Sequence, residues 1–262
     1  MDVRLEEVWS KFDRAKHHYD SWNATADEWL DRNPYGVRGR PEPGSDWFVV
    51  RFVEIEPPPF TQLALIFADF LHNLRAVLDH AVCHLVGASN TTDSTGFPVV
   101  RKPQDWGSAL GSRLKDFPPG FTGIIKDAQP FNHPTDAESH WLYLLHHLDI
   151  RNKHVLLVKL RVSDFEWEPT FELNRVAKEG DGRMDQLPAT QVELRDGEEL
   201  VRIRMISEEN DLRIVKLREV NNAHIGIGPH SDLLEDFPPN TPLPNFMGEV
   251  GTVLTALEPA FT

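Results

Sequence analysis

The chain has 262 residues, 40% hydrophobic and 26% charged, which suits one large globular domain or a domain with an insertion and excludes a disordered or collagenous chain. Its 41 acidic residues outnumber 27 basic ones for a net charge of −14, which argues against broad binding to DNA or anionic lipid. Cys83 is the single cysteine, so an intrachain disulfide framework and a cysteine-based zinc site are excluded. With neither signal peptide nor apolar span in view, a cytoplasmic protein without a membrane segment is expected.

Residues 3–31 predict a long helix. Leu5, Val8, Phe12, Ala15, Tyr19, Trp22, Ala26 and Trp29 recur in steps of three and four, a seam that packs on the protein's own helices or on a partner chain. Asn33-Pro34-Tyr35-Gly36 ends it, and residues 46–56 follow as one early strand, stopped by Pro57-Pro58-Pro59. A second helix is expected from Thr61 to Val86, with Gly87 as its C-cap. Residues 88–133 form a connector with short helices around 104–115 and 121–128, long enough to cover a site. Thr135 and Glu138 read as a capping box opening a third helix that runs to about Val155.

Beyond Leu156 the period shifts toward two. Strands are expected at 156–162, 170–174, 191–194, 199–206 and 212–220, with a hairpin turn at Asp196-Gly197. The expectation is an α+β fold, probed as about four long helices in a bundle beside a mostly antiparallel sheet formed largely by residues 156–228. Residues 1–155 would be helical apart from the early strand and 156–235 β-rich. A helix over 241–260 would return to the bundle, giving one domain with an insertion.

Charge is unevenly spread. Residues 1–60 hold 8 basic and 12 acidic side chains, residues 61–160 hold 9 of each, and residues 161–262 hold 10 and 20. The neutral middle also carries eight of twelve histidines, so it is where a phosphate would approach with least repulsion. On a wheel of residues 61–86 the apolar side chains fill one arc, and Arg75, Asp79, His72, Asp69, His80, Asn73 and His84 lie opposite. A face that merely meets water usually carries Lys, Glu and Gln, none of which occurs here after Gln62. In the third helix His140, His147 and His154 recur every seven residues with Arg151 on the same stripe and Tyr143 beside it. If the two stripes face each other, His72, His80 and Arg75 meet His147, His154 and Arg151 across one groove.

The run Phe70-Leu71-His72-Asn73-Leu74-Arg75-Ala76-Val77-Leu78-Asp79-His80, with Arg151-Asn152-Lys153-His154 downstream, resembles a group of uncharacterised bacterial and phage proteins. More distantly, Arg75 and His80, spaced as Arg-x4-His on one helix, resemble the signature of the HEPN-type ribonucleases. That resemblance implies metal-independent RNA cleavage in toxin or antiviral defence. His80 would exchange protons and Arg75 would stabilise the phosphorane, with His154, Arg151, His147 and His72 in support and RNA lying along the central helices.

Two further functions are compatible with the same residues. His72, His80, His147 and His154, with Asp69 or Asp79, could supply a zinc, iron or manganese centre between helices for metal-dependent hydrolysis, although Arg75 and Arg151 would oppose a cation. Alternatively the polar faces form a structural network, and the acidic sheet or the N-terminal seam serves a protein partner or a homodimer. Phosphate loops and nucleophile elbows are absent from the sequence.

Overall fold

The structure is a computed structural model. It describes residues 2–154, 160–174, 183–186, 196–204, 214–227 and 243–262, with side chains described at all of these except 154, 160–171, 183–186 and 215–227.

Helix α1 (Val3–Leu30) begins at Asp2, whose carboxylate accepts the Arg4 amide at 2.8 Å. Its seam turns inward against α2 (Phe60–Val86), burying Val8, Ala15 and Ala26 in the same core as Leu63, Phe67, Phe70, Leu74 and Leu78. Gly87 (φ 84°) ends α2, its amide bonding the Cys83 carbonyl. The connector carries α3 (Trp106–Ser112) and α4 (Thr122–Asp127), close to where sequence periodicity put them. Gln129 fastens it. That fully buried amide accepts the Val100 amide at 2.9 Å and donates to the Ile125 carbonyl at 2.8 Å.

Helix α5 (Trp141–His154) starts five residues later than the sequence predicts, and the expected Thr135/Glu138 capping box does not form. The Glu138 carboxylate is taken by Arg101, and Nδ1 of His140 accepts the Leu142 amide instead. Helix α6 (Leu243–Leu257) packs Phe246, Val250, Val253 and Leu257 into the core shared by α1, α2 and α5.

The α+β class is as expected, but two details differ. Among the described residues there are six α-helices, not about four long ones: α1 and α2 have 28 and 27 residues, α5 and α6 have 14 and 15, and α3 and α4 are shorter still. Four of the six described strands do fall within residues 156–228, but they are divided between two sheets, and the larger of these also takes in residues 35–54. The early strand is half of a hairpin, β1 (Tyr35–Pro41) with β2 (Trp47–Glu54). It joins β4 (Arg183–Gln186) and β5 (Glu199–Arg204) in a four-stranded antiparallel sheet ordered β1-β2-β5-β4. Strand β3 (Leu160–Leu173) and β6 (Ile214–Ile227) form a separate two-stranded antiparallel ribbon. The strand expected at 191–194 lies outside the described residues.

Phe48, Val50, Val201 and Ile203 cluster on one side of the larger sheet, with Val37 and Ile214 packed against them. Trp29 at the end of α1 packs with Tyr35 and Phe52. The turn at Asp196-Gly197 is present, with Gly197 at φ 83°, and Asp196 accepts the Glu54 amide at 3.0 Å. No described helix is long and apolar enough to cross a membrane.

Candidate functional site

Asp149 sits on α5 at helical spacing from Leu142, Leu145 and Leu148, a carboxylate set into the apolar seam and only 2% exposed. A buried carboxylate needs partners. It has two: Nδ1 of His72 on α2 at 3.3 Å, and Nζ of Lys153, one turn on, at 2.6 Å. The His72 side chain is itself 55% exposed. A buried acid therefore grips one nitrogen of an imidazole that otherwise faces solvent, the arrangement that fixes ring orientation and tautomer in proton-transfer dyads.

One turn further along α2, Arg75 is 5% exposed. Its Nη2 donates to the Phe97 carbonyl at 2.7 Å and pairs with Asp79 at 3.1 Å, while Nε donates to Nδ1 of His146 at 3.4 Å. Its Nη1 is buried with no hydrogen-bond partner among the described residues. Burial draws the guanidinium below its usual range, opposed by the nearby Asp79 and Asp149 carboxylates. Asp79 also accepts the Phe97 amide at 2.8 Å, so this pair pins the connector to α2. The junction is close: a Cβ on Gly96 would come within 2.7 Å of the Asp79 carboxylate. His146 is pushed down to about 4, first by burial and then by the positive charges of Arg75 and Arg113. It is thus neutral at pH 7 and free to accept from Arg75.

Beside the connector lies a cleft of about 450 Å³, walled by Pro98–Arg101, by the acidic Asp105 and by residues of α3. Arg113 reaches it from one side. Its guanidinium is exposed, without an ion pair to any described residue, and within electrostatic reach of Arg75 and His146. Arg101 lines the other side, over the Tyr143 ring at 5.4 Å, and Tyr143 stacks on His147 with ring centres 5.9 Å apart. Burial, and then Arg151, lowers His147, whose Nε2 is buried without a hydrogen-bond partner among the described residues.

No family model, curated protein or solved structure matches the chain. The geometry alone must therefore carry the functional argument.

The sequence leaves open whether the two histidine stripes meet; the contact found between the helices is a different one. Helix α2 does offer His72 and Arg75 to α5, where they meet Asp149 and His146. At about 100° per residue, Asp149 lies inside the apolar arc of α5, about 160° round the helix from His147 and Arg151. His147 instead lies with Tyr143 on the Arg101 side, Arg151 is half-buried, and the His154 side chain lies outside the described residues. His80 turns the other way. Five residues after Arg75 it is rotated by about 140°, and its neighbours are His84 and, on α1, Lys11 and Glu7. Burial and then Lys11 lower it. Asp69 is exposed within reach of His18 on α1, and Asn73 donates to the Asp69 carbonyl at 2.8 Å. Among the described residues no group of three or more His, Cys, Asp or Glu side chains is placed to share a metal ion. His72, His80 and His147 keep different neighbours, and the His154 side chain of that ligand set lies outside the described residues.

Sequence reasoning missed Asp149, His146, Arg101 and Arg113. For Asp149 the signal was available, because a carboxylate at the i+7 position of a Leu142/Leu145 seam has to find a partner.

Proposed function

We propose that the protein is a metal-independent phosphodiester-cleaving enzyme acting on RNA, in the manner that the HEPN resemblance implies but with the proton-transfer group relocated. The observation that carries this reading is the His72–Asp149 pair. The His72 side chain is more than half exposed while the buried carboxylate holds its Nδ1 and orients the ring. An imidazole so held takes the proton from an RNA 2′-hydroxyl as that oxygen attacks the adjacent phosphorus. The 5′-oxygen leaves and takes up a proton, giving a 2′,3′-cyclic phosphate. Arg113, exposed and without an ion pair among the described residues, supplies positive charge for the phosphate in the cleft beside the connector, which Arg101, already paired with Glu138, also lines. Arg75 is held too deeply to touch substrate. It acts as a positioning residue, locking the connector through Phe97 and keeping His146 neutral.

Purified protein incubated with mixed RNA in EDTA should produce fragments ending in 2′,3′-cyclic phosphate, and Asp149→Asn should slow their appearance at least about tenfold. Intact RNA after long incubation with the folded wild-type protein would end this reading. A second reading, a purely structural network, is favoured by the 5% exposure and three partners of Arg75. On that reading Asp149→Asn lowers the melting temperature and changes nothing else.

A further inference from the structure

The four-stranded sheet has an apolar face and an arginine face, and the chemistry above uses only the helices. Strand register sets the second face out in rows. Arg40 pairs with Val49 and Val49 with Arg202, which is in register with Asp185 of β4; Arg38 pairs with Arg51 and Arg51 with Glu199; Trp47 pairs with Arg204, which in turn is in register with Arg183 of β4. Residues paired directly across an antiparallel ladder share a face. Arg38, Arg40, Arg51 and Arg204 are exposed and Arg202 is half-buried. Val49, in the middle of its row, is only 1% exposed. The guanidiniums of Arg202 and Arg204 lie 5.6 and 5.8 Å from the centre of the Trp47 ring.

This face is poorly neutralised. Glu199 pairs with Arg51 at 3.5 Å and with Arg202 at 2.8 Å, and Glu42 also takes Arg202, at 3.3 Å. Arg38, Arg40 and Arg204 make no ion pair with any described residue. A sheet face that only needs solvation mixes Lys and Glu, yet β1, β2 and β5 contain no lysine at all. In a chain of net charge −14, a cluster of uncompensated arginines needs an explanation, and a polyanion supplies one.

We infer that the arginine face of the β1-β2-β5 sheet docks single-stranded RNA, holding its phosphates on Arg38, Arg40 and Arg204 beside Trp47. Guanidinium forks match phosphate oxygens, and flat arginine and indole surfaces accept unstacked bases. A membrane fits less well. Trp47, the large apolar ring on this face, already lies against two guanidiniums, and the acidic remainder of the chain would be repelled by an extended anionic surface. A single strand need approach only the patch.

The inference rests on RNA being the substrate, but it can be read separately from cleavage. Anisotropy of a labelled oligouridine is followed in EDTA with the His72→Ala protein, so that the strand stays whole. Adding R38A, R40A and R204A together should weaken binding at least about tenfold near 100 mM KCl and flatten the slope of log K against log salt by about 2, at roughly 0.7 per lost phosphate contact. The melting temperature should not move, because all three side chains are exposed. Equal binding with and without the three arginines overturns the inference, as does an absence of RNA binding, including the case in which phosphatidylserine vesicles bind in its place. Failure of cleavage with binding intact would remove the proposed reaction and leave the docking face standing.

Discussion

His146 shows how far one side chain's chemistry depends on what surrounds it. On a bare helix its imidazole would titrate near 6.5. Burial and two arginines push it down to about 4, and its neutral Nδ1 is what Arg75 needs as an acceptor. Between pH 6.5 and about 4 the unfolded chain takes up a proton here that the folded chain refuses, so stability must fall as pH drops through that window. The loss should be on the order of 2 kcal/mol after allowing for solvent screening. His146→Gln keeps an acceptor but cannot titrate. Its urea midpoint should therefore fall less between pH 7 and pH 4.5 than that of the wild type, and parallel curves would show that the ring is not buried in its neutral form. None of this was legible in the sequence, where His146 is one of eight histidines in the middle segment. The shift comes first from burial in the packed fold and then from Arg75 and Arg113, 71 and 33 residues away in the chain.

At the scale of elements, the two central helices were legible as helices, and their polar stripes were visible on the wheel. The rotation of α5 was not. A 14-residue helix with apolar residues at 142, 144, 145 and 148 can present either edge of its arc, and the choice is made by Asp149, which is buried only because His72 and Lys153 meet it. The capping box failed for a similar reason, since Glu138 found Arg101. If His72 and Asp149 couple α2 to α5, the stability costs of His72→Ala and Asp149→Asn should not add. A double-mutant cycle by chemical denaturation should give a coupling of about 0.5–1 kcal/mol, kept small by the exposure of His72. Additive losses would mean that the two helices dock without help from this pair.

Over the whole molecule, the α+β class and the shift from helical to strand periodicity were readable, whereas the partnership of the strands was not. Tyr35-Gly36-Val37-Arg38-Gly39-Arg40-Pro41 hides a strand behind two glycines and two arginines, and its pairing with residues 47–54 is fixed by the ladder rather than by propensity. Summing charge along the chain made the β-rich part look uniformly acidic; the fold gathers arginines from three strands onto one face. The same limit applies to the motif that first suggested RNA. Arg75 and His80 match a spacing in sequence, yet the helix points them at different neighbours, one into the α2–α5 junction and the other toward α1. The central claim is that His72, held by Asp149, moves the proton. It is tested most directly by measuring RNA cleavage in EDTA for His72→Ala and His80→Ala side by side. The account predicts a loss of about 100-fold or more in His72→Ala with His80→Ala close to wild type; activity that survives in His72→Ala and vanishes in His80→Ala would contradict it.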